Sequence, residues 1–206
     1  MIDEGYIKFD CMWTKSPPIE DAAIEELKRW RRALFDAGLI GQCGNVGYGN
    51  VSARIGKRGQ FIITGTQTGQ LVDLTGAHFA RVTDYDMENN RLTCHGPVRA
   101  SSESLTHAAI YALDPEINAI AHVHSDSLWK QLRDRIPTTS SDVAYGTRAM
   151  AKEFTRLYRD TDFASSKMAV MGGHAGGLIS IGDDVALAAG RFLESAATTR
   201  VSGAEQ

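Results

Sequence analysis

An apolar stretch over residues 117–121 runs directly into the sequence His122-Val123-His124-Ser125. Such a run is typical of a buried β-strand, in which successive side chains point to opposite faces, so His122 and His124 share one face. Residues two apart on a face have Cα atoms about 7 Å apart, which lets two imidazoles bind one metal ion at about 2.0–2.1 Å. The strand therefore predicts a metal-binding pair, although each histidine alone is equally compatible with an ordinary core or surface position.

Composition restricts the class of protein. The 206 residues suffice for one domain with a sizeable core, and the contents of 43% hydrophobic and 23% charged residues are typical of globular proteins. A net charge of -3, with no dense Lys/Arg cluster, excludes a nucleic-acid-binding function. No apolar stretch is long enough for a transmembrane helix, and the N-terminus lacks the features of a signal peptide, so we expect a cytoplasmic protein.

Cysteine usage agrees with that compartment. Cys11, Cys43 and Cys94 are odd in number and form no C-x-x-C pair. We therefore expect three free thiols in a reducing environment.

Apolar periodicity predicts a mixture of helices and strands. Residues 1–18 are expected to be irregular, ahead of a single domain over residues 19–206. Helices are predicted over residues 20–37, 102–113 and 147–159, and from Asp183 or Asp184 to about Thr199. Strands are predicted over residues 50–54 and 61–64, which form a hairpin, and over residues 79–82, 91–94, 119–124, 168–171 and 178–181. This spacing indicates an α/β domain whose sheet is at least partly antiparallel and is covered by helices.

Glycine-rich loops invite a nucleotide-binding interpretation, which the spacing excludes. Gly56-Lys57 is followed by Arg58 and no glycine stands at position 51, so the phosphate-binding loop G-x-x-x-x-G-K-[ST] is absent. Gly47-x-Gly49 is followed by Ser52 where a dinucleotide-binding fingerprint needs glycine. A serine hydrolase is equally unsupported, because the chain has no G-x-S-x-G elbow.

Ser101-Ser102-Glu103 precedes a predicted helix. Two hydroxyl groups and free backbone N–H groups at a helix N-terminus can bind an anion such as phosphate, helped by the helix dipole. The alternative is that Ser101 or Ser102 only caps the helix while Glu103 complements its dipole. The tripeptide alone favours the capping role.

A third metal ligand has several candidates. His174 lies in a glycine-rich bend, where small neighbours allow a side chain or ligand to come close. Three histidines on one Zn²⁺ with an open position would form a catalytic site. His78, His95 and His107 compete with His174, and spacing alone does not choose among them.

Taken in order, these motifs resemble the class II aldolase/adducin family over roughly residues 20–200. The matching segments are Gly49-Asn-Val-Ser-Ala-Arg54, Phe61-Ile-Ile-Thr64 with Thr68-Gly69, Ser101-Ser-Glu103, His107, His122-Val-His124 and His174. The resemblance implies a three-layer α/β/α domain with a largely antiparallel central sheet. It also implies a homotetramer with active sites between subunits, acting on a small-molecule substrate.

The resemblance also implies a role for each matching residue. His122, His124 and His174 resemble zinc ligands, and Mn²⁺, Co²⁺ or Fe²⁺ could replace zinc. Glu103 resembles the family's acid/base carboxylate. The residues that resemble phosphate-binding positions are Asn50, Thr68, Gly69, Ser101 and Ser102. Such a site would stabilise an enediolate of a hydroxy-carbonyl substrate by Lewis-acid polarisation.

The chain departs from the family pattern in four places. The turn Gly65-Thr-Gln-Thr-Gly69 is longer than the usual P-[ST]-G, and the third-ligand loop reads G-H-A-G-G rather than N-H-G. Only 20 residues separate His124 from Tyr145, where sugar aldolases have an insert with a proton-donating tyrosine. The tail after Thr199 is short and has no tyrosine.

The resemblance leaves three hypotheses. The first is a metal-dependent aldolase-type lyase acting on a small hydroxy-carbonyl compound such as a sugar phosphate. The second uses the same metal site for dehydration, epimerisation or decarboxylation. The third is a catalytically silent, adducin-like interaction module, which has no need of Glu103 and the three histidines.

Overall fold

The structure, a computed structural model, describes residues 6–56 and 59–203. Its strands are β1 (Asp10–Lys15), β2 (Gly41–Cys43), β3 (Val46–Tyr48), β4 (Asn50–Arg54), β5 (Phe61–Thr64), β6 (Phe79–Asp86), β7 (Arg91–Gly96), β8 (Ala119–His124), β9 (Met168–Val170) and β10 (Gly177–Gly182). Its α-helices are α1 (Ala23–Asp36), α2 (Ser104–Leu113), α3 (Asp126–Leu132), α4 (Arg148–Asp160), α5 (Phe163–Ser166) and α6 (Val185–Gly203), and a 3₁₀ turn spans Gly76–His78.

Eight strands form the central sheet in the order β1-β7-β6-β5-β4-β8-β10-β9. Every neighbouring pair is antiparallel except β1 and β7, which are parallel. The strands β2 and β3 form a separate small hairpin. The predicted hairpin of β4 and β5 is confirmed, and β8 lies between β4 and β10.

Each face of the sheet has its own hydrophobic core. On one face, buried side chains of α2 and α4, such as Leu105 and Phe154, pack on the sheet. On the other face, α1 and α6 contribute Leu27, Leu34 and Phe192. The mixed α/β fold with a largely antiparallel central sheet is therefore confirmed, and the two cores make it a three-layer structure.

The predicted helices agree with the structure within a few residues, but the predicted N-cap of α2 is wrong and the short helices α3 and α5 were missed. The first turn of α2 begins at Ser104, and its N-cap position is taken by Glu103 rather than by Ser101 or Ser102. Helix α3 was not predicted; it begins after Ser125, whose hydroxyl oxygen accepts a hydrogen bond from the Leu128 N–H at 3.3 Å. At the other end of the chain, Asp184 caps α6 by accepting from Leu187 N–H at 2.7 Å.

The expectation that residues 1–18 are irregular is wrong for Asp10–Lys15, which form the edge strand β1, and residues 1–5 lie outside the described residues. The strand pairs with β7, and the Trp13 indole N–H donates to the Gly96 carbonyl at 3.0 Å. Cys11 and Trp13 are partly buried, whereas the residues on either side of each are exposed. This alternation is the usual pattern of a half-buried strand.

None of the helices in the described part of the chain combines the length and the apolar character that crossing a membrane requires.

The pairing of β1 with β7 predicts a specific disulfide. The sulfur atoms of Cys11 and Cys94 lie 3.7 Å apart, so a small rotation of the side chains brings them to bonding distance. We expect glutathione disulfide to link these two cysteines, with loss of two hydrogen atoms, whereas the exposed Cys43 gains only a glutathione adduct. Peptide mapping by mass spectrometry measures both products. A link between Cys43 and either partner would contradict this placement of β1.

Candidate metal centre and anion cleft

The first two histidines of the site lie at the end of β8. His122 pairs with Asn50 of β4 on one side and with Ile179 of β10 on the other, and His124 pairs with Gly177. Both imidazoles lie on one face of the sheet, as the alternation of side chains predicts. Their ring centroids are 4.9 Å apart, and their Nε2 atoms are 3.1 Å apart.

His174 comes from the turn between β9 and β10. Its backbone N–H donates to the Met171 carbonyl, and its own carbonyl accepts from the Gly177 N–H at 2.9 Å. A Cβ atom at position 177 would lie 2.5 Å from His174 Cδ2, so only glycine allows the ring to take this position. The His174 ring centroid lies 5.4 Å from that of His122 and 4.6 Å from that of His124.

The structure therefore selects His174 among the candidates for a third ligand. One ring nitrogen from each of His122, His124 and His174 lies within 4.8 Å of the others. The competing histidines have other contacts. The His78 Nδ1 atom accepts from the Thr75 N–H, and the His107 Nδ1 atom lies 2.8 Å from the Ser52 hydroxyl.

The protonation state of the cluster suits metal binding. Burial lowers the pKa of His122 to about 4, and burial also lowers the pKa values of His124 and His174 well below the usual value of 6.5. Electrostatic repulsion between protonated rings, with His122 as the partner, further lowers the pKa values of His124 and His174. All three imidazoles are therefore neutral at physiological pH, which is the form that coordinates metals.

A hydrogen bond fixes which nitrogen of His122 faces the cluster. Its Nδ1 atom lies 3.0 Å from the Leu178 carbonyl oxygen, which can only accept. The proton is accordingly on Nδ1, and the lone pair on Nε2 faces His124 Nε2 at 3.1 Å. Three neutral nitrogens in this arrangement fit a divalent cation such as Zn²⁺ that keeps an open coordination position.

Glu103 connects the histidine cluster to a neighbouring polar cleft. The residue is 1% exposed, and its Oε1 atom lies 3.7 Å from His174 Nε2. Glu103 also lines the cleft, whose other walls are Gly47, Gly49, Asn50, Gly65, Thr66, Gln67, Thr68, Gly69, Ser101 and Ser102. The carboxylate thus lies between the three imidazoles and the polar cleft.

The cleft contains the predicted phosphate-binding residues, and their polar atoms differ in whether they already have a hydrogen-bond partner. The Oδ1 atom of Asn50 is buried and has no hydrogen-bond partner among the described residues. The Ser101 hydroxyl oxygen accepts from the Glu103 N–H at 3.3 Å, and the Thr68 hydroxyl donates to the Gly65 carbonyl at 2.8 Å. The Thr68 hydroxyl proton is already used in this hydrogen bond. The groups of this turn that can donate to an anion are therefore its backbone N–H groups.

Tyr145 belongs to the site although the sequence did not assign it there. Its ring centroid lies 4.5 Å from that of His174, and its hydroxyl accepts from the Tyr6 N–H at 3.2 Å. The next residue, Gly146, has φ +64°, and a Cβ atom there would lie 2.7 Å from the Ser102 carbonyl oxygen. The close packing of Gly146 against the Ser102 turn brings Tyr145 to the cluster. The aromatic-Gly-Thr pattern was the available signal in the sequence.

Comparison with known proteins agrees with this arrangement. Residues 25–201 match the family described as Class II Aldolase and Adducin N-terminal domain. Among curated proteins, L-ribulose-5-phosphate 4-epimerase UlaF of Salmonella typhi is 30% identical over 139 residues, or 62% of this chain. The chain spans only 58% of the length of that relative.

Solved structures share the fold at low sequence identity. The sugar-phosphate aldolase of Thermotoga maritima is 19% identical with a TM-score of 0.66, covering 89% of this chain and 96% of the other. YgbL of Klebsiella pneumoniae, provisionally assigned as an aldolase, epimerase or decarboxylase, is 20% identical with a TM-score of 0.64 and 87% coverage of both chains. These similarities support the fold and leave the reaction open.

Metal content tests the histidine cluster. We expect roughly one zinc or similar divalent ion per chain in protein purified without a chelator or histidine tag, and its loss in His174→Ala, since two imidazoles bind more weakly than three. Elemental analysis measures this, with His78→Ala as the control because His78 lies in the 3₁₀ turn. Full metal retention by His174→Ala would remove this residue from the ligand set.

The lowered pKa values predict acid sensitivity of the metal-free protein. His107, His122, His124 and His174 resist protonation when folded but accept protons near pH 6.5 when unfolded, so the unfolded state binds more protons below that pH. Each residue then reduces the free energy of unfolding by about 1.4 kcal/mol per pH unit. Thermal unfolding at about pH 7.5 and about pH 5.5 measures this loss. A metal-free protein that unfolds at a higher temperature at the lower of these two pH values would contradict the burial of neutral rings.

Proposed function

The chain belongs to the class II aldolase and adducin family, and we propose that it is a metal-dependent aldolase-type lyase. Its substrate in this proposal is a small hydroxy-carbonyl compound, a sugar phosphate, whose carbon–carbon bond it cleaves or forms. The observation that carries the proposal is the distance of 3.7 Å between Glu103 Oε1 and His174 Nε2. That distance places a buried carboxylate beside the nitrogen cluster and at the wall of the polar cleft.

In this proposal His122, His124 and His174 hold the metal ion, which is Zn²⁺ or alternatively Mn²⁺, Co²⁺ or Fe²⁺. The bound ion supplies Lewis-acid polarisation of the substrate's hydroxyl and carbonyl oxygens. Because all three imidazoles are neutral, these ligands would leave the positive charge of the ion undiminished. The β8–β10 register holds His122 and His124, and backbone hydrogen bonds to Met171 and Gly177 hold the turn that carries His174.

Glu103 is the proposed proton carrier. It is held at the N-cap position of α2, where its backbone N–H donates to the Ser101 hydroxyl oxygen. A carboxylate fixed in this way can accept a proton from a substrate carbon or hydroxyl group next to the cluster and return it later in the reaction. Burial excludes water from the transfer path.

The phosphate group of the substrate is proposed to bind in the cleft, through Asn50, Thr68, Gly69, Ser101 and Ser102. Among the residues that the structure describes, none that lines this cleft has a cationic side chain, so binding depends on hydroxyl groups and backbone N–H groups. The start of α2 directly after this turn adds the positive end of its dipole. A phosphate held there would fix the position of the reacting carbons relative to Glu103.

A second candidate reaction is epimerisation of a sugar phosphate. The curated relative at 30% identity is an L-ribulose-5-phosphate 4-epimerase, which favours this alternative over dehydration or decarboxylation. The same histidines and Glu103 would serve either reaction. Product analysis separates them, because a lyase releases an aldehyde whereas an epimerase conserves the carbon skeleton.

The sequence predictions of a cytoplasmic homotetramer with sites between subunits stay part of this proposal. A catalytically silent module remains the third hypothesis. It predicts no turnover of any ketose phosphate even when the metal is bound.

Replacement of Glu103 tests the proposed chemistry. We expect Glu103→Gln to retain its metal and lower turnover by a factor of about 10² or more, because an amide cannot carry the proton. Turnover is measured with L-ribulose 5-phosphate and L-fuculose 1-phosphate, following epimer formation and aldehyde release. The control is Glu116→Gln, which removes an exposed carboxylate at the end of α2.

The result separates the hypotheses. Wild-type turnover of either substrate supports an enzyme, and its product decides between lyase and epimerase. Undiminished turnover in Glu103→Gln would exclude Glu103 as the proton carrier.

A further inference from the structure

Arg31 of α1 lies on the helix face that packs against the protein, in a position where the helical pattern otherwise has apolar residues. The residue is 1% exposed, and in the described part of the chain its guanidinium group donates hydrogen bonds only to backbone carbonyl oxygens. One terminal nitrogen donates to Leu71 and, at 3.0 Å, to Val72. The other donates to Thr68 at 3.0 Å and to Gly69 at 2.7 Å.

Two of these four acceptors, the carbonyls of Thr68 and Gly69, belong to residues that line the anion cleft, and the other two follow them closely along the chain. A buried guanidinium without partners would be strongly unfavourable, and here the carbonyl oxygens replace its water shell. Desolvation lowers the pKa of Arg31 to about 10, so the group still carries its charge at neutral pH. The turn therefore lies directly over a buried positive charge.

The hydrogen bonds also set the orientation of two peptide groups. A trans peptide is planar, and its N–H points opposite to its C=O. Because the Thr68 and Gly69 carbonyls point toward Arg31, the N–H groups of Gly69 and Gln70 point away from it. A Cβ atom added to Gly47, on the wall of the cleft, would lie 2.8 Å from the Gly69 nitrogen, so this nitrogen faces the cleft side of the turn.

We propose that Arg31 is a positioning residue for phosphate binding, which holds the Thr68–Gly69 turn so that its N–H groups face the anion and supplies the positive charge that the cleft lining lacks. This inference rests on the proposed function, because it assumes that the cleft binds the phosphate of the substrate. The charge acts through a buried peptide layer, where electrostatic interactions are screened less than in water.

Arg32 provides a matched control on the same helix. Its side chain is exposed and forms ion pairs with Asp36 and with Asp73, which follows the same turn. Loss of Arg32 removes a cation and a surface contact to this segment but leaves the buried carbonyl contacts of Arg31 intact. If phosphate affinity depended only on the net charge of α1 or on the attachment of this helix to the turn, replacement of either arginine would weaken phosphate binding.

The test measures the affinity of the full chain, loaded with zinc, for inorganic phosphate by isothermal titration calorimetry. We expect Arg31→Met to bind phosphate about tenfold or more weakly, because it removes both the charge and the fork of donors. Arg31→Lys keeps the charge but lacks the fork, so its affinity should lie between those of the wild type and Arg31→Met. Arg32→Met should bind phosphate like the wild type.

Zinc content and thermal unfolding are measured on every variant, since a purely structural role would change these instead of phosphate affinity. If Arg31→Met does not fold, the decision falls to Arg31→Lys, for which phosphate affinity within about twofold of the wild type would overturn the inference. Equal affinity in folded Arg31→Met would overturn it as well, while leaving the phosphate cleft in place. A wild type that holds zinc but does not bind phosphate would instead overturn the proposed cleft, and the role of Arg31 with it.

Discussion

Burial of three neutral imidazoles, two at the end of β8 and one in the turn between β9 and β10, is the constraint on which the rest of the site depends. Charged rings could not be held so close together in this environment, whereas neutral rings present lone pairs that can coordinate a cation. The β8–β10 register, the missing side chain of Gly177 and the packing of Tyr145 against His174 all serve this arrangement. In the proposed function, binding of a metal ion recovers the free energy that this burial costs.

The metal centre and the anion cleft are separate structures that share one residue. The cluster is built from the end of β8 and the turn between β9 and β10, whereas the cleft is built from the start of β4, the turn after β5 and the turn before α2. Glu103 contacts both regions because it takes the N-cap position of α2. A substrate that spans the two regions would therefore pass this carboxylate, which explains why its position matters more than its local hydrogen bonds.

Local pattern was sufficient to predict most of the elements and the pairing of His122 with His124, whereas His174 was chosen over His78, His95 and His107 only through the family resemblance. The strand period placed His122 and His124 on one face, and the strand–turn–strand around His174 brought the third ring to them. Long-range contacts could not be predicted. The partner of β1 lies 81 residues away along the chain, and nothing near Arg31 reveals that a distant turn would satisfy its guanidinium. Tyr145 likewise depends on the packing of an irregular segment.

The parallel pairing of β1 with β7 has a consequence for how the chain folds. During synthesis β1 emerges first, but its partner follows only after the segment that separates Asp10 from Arg91. All other neighbouring pairs in the sheet are antiparallel. We therefore expect β1 to join late, and until it does, the outer edge of β7 is an open template for pairing with other chains, which a chaperone would have to protect.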